Sequence, residues 1–109
     1  MNQHIDALIT KLEDTTDWRR SKAEEYPDDG RNADAVKTLS DLRTELEAAD
    51  QDNSSVQKYI HECGESCERG AAHDACRLEG EYISRIGFDS MPADADALLS
   101  DLSSLISKA

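Results

Sequence analysis

His61, Cys63, Cys67, His73 and Cys76 fall within a single stretch of 16 residues, and thiolates with imidazoles are the side chains that bind zinc or Cu(I). Cys63 and Cys67 stand four apart and His73 and Cys76 three apart, so on helices each pair occupies one face. A chain reversal at Gly70 makes positions 67 and 73 equidistant from the turn, and positions 63 and 77 likewise. Cys63, Cys67, His73 and Cys76 could then meet across a helical hairpin as a zinc site. The competing reading needs no cofactor. Cys63 and Cys67 also lie on the apolar stripe of their own helix, where free cysteine serves as a small buried hydrophobe. The spacing C-x3-C-x5-H-x2-C lacks the C-x2-C knuckle of zinc fingers and ribbons, so the buried thiols are favoured.

Nothing else in the chain carries a catalytic signature, and no enzyme is expected. General acid-base chemistry needs two groups with separated pKa values, and 24 acids offer no way to single out such a pair. Glu79, between Cys76 and Ile83, is the one acid beside an apolar face and reads as a rim residue. There is no phosphate-binding glycine loop, nucleophile elbow or HExxH motif, and residues 28–34 fail the EF-hand ligand spacing.

The elements that must position these residues are helical throughout. Ile5, Leu8, Ile9 and Leu12 form an amphipathic helix, which Trp18, Ala23 and Tyr26 extend or follow with a second one. Pro27-Asp28-Asp29-Gly30 is turn chemistry, and Asn32 is placed to cap the next helix. Ala35, Leu39, Leu42, Leu46 and Ala49 then run at spacings of 4, 3, 4 and 3, a seam two heptads long that suits an antiparallel bundle. Ser54 with Gln57 matches a capping box for a third helix bearing Val56, Ile60, Cys63 and Cys67, with Gly70 as its C-terminal cap. A fourth helix presents Ala75, Leu78, Tyr82 and Ile86, and ends at Gly87. Ser90 or Met91 is expected to cap a fifth, with Pro92 in its first turn and Leu98, Leu102 and Leu105 on its stripe. The fold class is all-α, a single acidic domain over residues 1–109 built as a small bundle of four to five helices. The expected core is Leu8, Leu12, Leu39, Leu42, Leu46, Ile60, Tyr82, Ile83, Leu98, Leu102 and Leu105.

Charge then limits the partners. The chain carries 24 acids against 12 bases, a net of −12, and residues 44–109 hold 14 of the acids with only 5 bases. Such a surface repels nucleic-acid phosphates and anionic membranes and attracts basic proteins through a field that salt screens. No membrane span is present, and without a basic n-region or apolar run near the start a cytoplasmic location is expected. Three cysteines make no disulfide framework.

Two surfaces could meet a partner. One is an acidic ridge of Asp34, Asp41 and Glu45, continued by Asp28 and Asp29. The other is Trp18 and Tyr26 among Arg19, Arg20 and Lys22, although a lone Trp usually anchors packing and Trp18 reads first as core. The leading expectation is a non-enzymatic inhibitor or regulator that docks its acidic helical face on a basic protein, including the nucleic-acid site of such a protein. In size and charge the chain is similar to the small acidic helical proteins that phages use against restriction or CRISPR machinery, and that likeness assigns no residue. The first alternative is a zinc- or copper-binding bundle using Cys63, Cys67, His73 and Cys76. The C-x3-C step resembles that of cysteine-rich copper-storing bundles, but their dense cysteine lining is absent, so no ligand set carries over. The second alternative is a helical adaptor that pairs through an apolar face. Oligomeric state is not fixed by the sequence.

Overall fold

A computed structural model describes residues 2–109 as five helices: α1 (Gln3–Glu25), α2 (Gly30–Ala48), α3 (Ser54–Glu68), α4 (Ala72–Ser84) and α5 (Ala95–Ser107). The expected all-α bundle is therefore observed, and among the described residues no helix is long and apolar enough to cross a membrane.

The first helix runs unbroken through Asp14-Thr15-Thr16. Thr15 and Thr16 each return their hydroxyl to the carbonyl four residues back, at 2.8 and 2.6 Å, which satisfies them without leaving the helix. Asn2 caps the start by accepting from the His4 amide at 2.7 Å. Pro27 stops the helix, and the chain doubles back so that α1 and α2 form a long antiparallel hairpin with extensive mutual packing. The remaining helices pack beneath this hairpin. α5 touches α2, α3 and α4, and α1 touches α3 and α4.

Three helix starts differ from the sequence expectation, each by a choice between neighbouring capping residues. Asp29, not Asn32, caps α2, accepting from the Arg31 amide at 3.1 Å, while Asn32 is buried and accepts from Arg19. Asn53 caps α3 through bonds from the Ser55 and Val56 amides, and Gln57 turns away to the Gln51 carbonyl, so the Ser54/Gln57 box does not form. Asp94 caps α5 by accepting from the Ala97 amide at 2.8 Å, which leaves Pro92 buried in the preceding loop. In each case the cap is the Asp or Asn immediately before the first helical residue, whose short side chain reaches the free amides of the first turn.

The core holds Leu8, Leu12, Leu39, Leu42, Leu46, Ile83, Leu98 and Leu102, as expected, together with Ile5, Ile9, Tyr59, Ile86, Leu99 and Ile106. Ile60, Tyr82 and Leu105 flank this core only partly buried. Tyr82 keeps its hydroxyl outward, where it donates to Asp101 at 2.6 Å.

Gly87 is the one place where backbone freedom and close packing coincide. Its φ is +93°, and a Cβ there would lie 2.5 Å from the Cβ of Ala35, so α2 rests directly on the loop after α4. Gly87→Ala should therefore lower the unfolding free energy by more than 1 kcal/mol, of the order of ~1–3 kcal/mol for overpacking with a strained φ. Leu42→Ala, a fully buried truncation, should cost about 2–5 kcal/mol. Urea denaturation of both variants checks this, with Gly64→Ala in mid-α3, where a methyl meets open space, as the contrasting glycine replacement that should gain about 0.5–1 kcal/mol.

Candidate functional site

The helical hairpin expected at Gly70 forms, and its geometry is specific. Gly70 takes φ +72°, its amide donates to the Cys67 carbonyl at 3.1 Å, and the Ala71 amide donates to Ser66 at 2.8 Å. These two bonds make a Schellman termination of α3, which sets the direction in which α4 leaves. Cys63, Cys67 and Cys76 consequently line one open pocket of about 160 Å3, together with His4 and Lys11 from α1.

The floor of that pocket is a buried carboxylate. Glu79, expected at the rim, is only 5 % exposed and sits in line with Ala75 and Ile83 on the inward face of α4. Its Oε1 accepts from the Tyr59 hydroxyl of α3 at 2.6 Å, and its Oε2 meets Nζ of Lys11 from α1 at 3.3 Å. Both carboxylate oxygens are thus partnered, which is the condition for keeping a charge inside a protein. Lys11 also donates to Sγ of Cys76 at 3.3 Å. Burial by itself disfavours the ammonium of Lys11, but the Glu79 carboxylate and the Cys76 sulfur outweigh it and raise the pKa above the usual lysine value. Burial and the nearby Glu79 charge push the Tyr59 hydroxyl far up, so it remains a donor.

The three thiols differ in their surroundings. Cys63 is half-buried, and burial pushes its thiol up to about 11 against a lowering contribution from Tyr59. Cys67 and Cys76 are both exposed at the pocket mouth. The buried stripe of α3 runs through Val56, Tyr59 and Ser66, with Cys63 partly buried beside it, so Cys67 lies at its edge and is not core. His73 is exposed and does not line the pocket. Among the described residues no three His, Cys, Asp or Glu side chains converge on a metal position. The ammonium of Lys11 stands beside Cys76, where a metal cation would have to sit.

The residues expected to meet a partner occupy two other regions. Asp34, Asp41 and Glu45 are exposed on α2, as a ridge requires. Asp41 pairs with Lys37 at 2.9 Å, and Glu45 accepts from the Ala95 amide at 3.3 Å, reaching the positive end of α5. Asp28 is exposed, and Asp29 is clasped by the Arg31 guanidinium, whose hydrogen bonds hold its carboxyl down at about 2. Trp18 is not core. It is 45 % exposed and stacks over the Arg19 guanidinium, 4.3 Å from the ring centroid. Arg19 lies between Trp18 and Phe88, donates to Asn32 at 3.1 Å, and also reaches the Ser84 carbonyl, so this half-buried cation packs inward where the indole was expected to. Tyr26 is 54 % exposed beside Lys22.

Sequence reasoning missed Lys11 and Tyr59 and placed Glu79 at the rim instead of in the interior. The usable signal was the position of Glu79 four residues from both Ala75 and Ile83, in the middle of the inward stripe. Tyr59→Phe should remove one donor to a buried carboxylate and cost about 1–3 kcal/mol in urea denaturation. The thiol of Cys63 is more readily ionised in the unfolded chain than in the fold. Its contribution to stability is therefore complete below pH 9.0, the unperturbed value, and is lost as pH rises through about 11. Denaturation midpoints should fall across that window, and Cys63→Ala should remove part of the fall.

Compared with protein-family models, with curated proteins and with solved structures, the chain matches none.

Proposed function

We propose that the protein is a non-enzymatic cytoplasmic binding protein that docks the acidic face formed by α2 and the start of α5 on a basic protein partner. The supporting observation is the way two shallow grooves adjoin at Glu45. One is lined by Asp41, Leu42, Glu45, Met91 and Pro92, and the other by Glu45, Asn53, Asp94, Ala95 and Asp96. The ridge of Asp34, Asp41 and Glu45 is thereby extended by Asp94 and Asp96, with the Met91 side chain 64 % exposed at its edge.

Acids around an apolar anchor combine long-range attraction with a group that can be desolvated on contact. Of these acids Asp41 is paired with Lys37, while among the described residues Asp34, Glu45, Asp94 and Asp96 have no ion-pair partner. Lys11, Arg20, Lys22, Arg31, Lys37, Arg43, Arg77 and Arg85 are each engaged with a carboxylate of their own chain. A row of carboxylates along a helix imitates a row of phosphates, so the nucleic-acid site of a basic protein is the surface that fits best.

The test is association with a partner isolated from the source cells, measured as salt is raised. The Debye length contracts from about 30 Å at 0.01 M to about 8 Å at 0.15 M, and the association rate should fall by about tenfold or more. Asp34→Lys with Asp41→Lys should slow association while the helical spectrum is kept, and Met91→Ala should speed dissociation. Glu45 is better changed to Gln, since a lysine there would oppose the positive end of α5. The paired reversal Glu62→Lys and Glu65→Lys on α3 reports whether a second acidic face contributes. Association indifferent to salt and to both reversals would reject the electrostatic reading and leave the adaptor reading, with exposed Trp18 and Tyr26 as anchors.

A further inference from the structure

The pocket between α1, α3 and α4 has a feature that acidic docking does not use: of its two exposed thiols, one carries a fixed cation. Cys76 Sγ accepts from Lys11 Nζ at 3.3 Å, whereas among the described residues no cation donates to Cys67. Lys11 meets Glu79 at 3.3 Å, and Glu79 accepts from Tyr59 at 2.6 Å, so the part-exposed ammonium is tied to α4 directly and to α3 through the carboxylate. Ala7, Ala72 and Ala75 line the same pocket, and their small side chains leave an open space of about 160 Å3 beside the sulfur.

From this geometry we infer that Cys76 is a selectively reactive thiol that exchanges with low-molecular-weight disulfides, taking up a small thiol as a mixed disulfide in the pocket. The thiolate is the attacking species, and a positive charge fixed beside the sulfur stabilises it. In the step, Cys76 gives its thiol proton to solvent and its Sγ attacks one sulfur of the disulfide. The new S–S bond forms as the old one breaks. The departing thiolate takes a proton from solvent. Cys76 is oxidised and the released half of the reagent is reduced, so no further oxidant is needed.

Other charged or titratable groups face the site from each element packed on it. They are His4 and Lys11 on α1, Tyr59, Cys63 and Cys67 on α3, and Glu79 on α4 itself, while α5 contributes only apolar Ile106. Cys63 lies on the inner side with its thiol pushed up to about 11 by burial, which disfavours it as the attacking group. Cys67 shares the exposure and the pocket of Cys76 without the cation, and so serves as an internal control.

The experiment uses the whole chain and bis(2-hydroxyethyl) disulfide, an uncharged probe that the net charge of −12 neither attracts nor repels. Mass mapping of each cysteine over time should show Cys76 modified first, about tenfold faster than Cys67. Lys11→Met alone would strand a buried carboxylate, so the decisive variant is Lys11→Met with Glu79→Gln, which removes both charges together. It should bring Cys76 down to the rate of Cys67 and leave Cys67 unchanged. Equal rates at the two thiols in the unaltered protein, or an undiminished Cys76 rate in the double variant, would overturn the inference. Should the double variant unfold, shown by Cys63 becoming as reactive as the others, Lys11→Gln alone decides. Its amide can still donate to Glu79 but carries no charge, so the Cys76 rate should fall to the Cys67 rate, and an undiminished rate would overturn the inference.

Discussion

Burying the Glu79 carboxylate constrains more of this structure than any other single contact. An ionised carboxylate in an apolar interior is tolerated only when its oxygens are partnered, and the partners here come from two different helices, Lys11 on α1 and Tyr59 on α3. The three helices must therefore meet in one register. Apolar packing alone tolerates a slide of one helix along another, because Leu and Ile contacts can be exchanged for similar ones. A carboxylate that loses a partner has no such exchange. The net worth of the pair to stability is small, and its consequence is positional: it fixes where Lys11 stands, and with it the surroundings of Cys76.

A second constraint comes from the turns. The Schellman bonds at Gly70 set the angle of α4, and the absence of a side chain at Gly87 lets α2 come down onto the loop that follows α4. Between them these glycines define both ends of α4, the helix that carries Glu79 and Cys76. At the far end of α1, Arg19 performs a similar task with a cation: stacked between Trp18 and Phe88 and bonded to Asn32 and Ser84, it ties α1 to α2 and to the end of α4. The bundle is thus pinned at two side-chain clusters, around Glu79 and around Arg19, and at the glycine turns that bound α4.

The helices and most of the core were legible in the sequence because a 3.6-residue period records burial directly, as in Leu39, Leu42 and Leu46 or Leu98 and Leu102. Helix starts were less legible, since Asp29, Asn53 and Asp94 each lie close to another residue able to cap. The hairpin at Gly70 was legible and brought the cysteines to one pocket as the spacing implied. The use of that pocket was not. Glu79 read as rim on the rarity of buried acids, and its partners lie 68 and 20 residues away, beyond what local periodicity reports. Trp18 read as core because indoles usually are, but a guanidinium with two aromatic neighbours and two hydrogen-bond acceptors filled that place first.

The fate of the basic residues connects the interior with the surface. Lys11 is spent on an internal carboxylate, Arg19 on ring faces and carbonyl groups, and Arg69 on the carbonyls of Ile106 and Ala109 at the end of α5. Others pair with acids one helical turn away on α1, α2 and α4. Each such pair neutralises one carboxylate, Asp41 on α2 included, and the net charge of −12 is the excess that remains, most of it beyond residue 43. Reversing Asp34 or Asp96 leaves the internal contacts of Lys11 and Arg19 untouched, whereas reversing Asp41 or Glu45 also removes the contact with Lys37 or with the Ala95 amide.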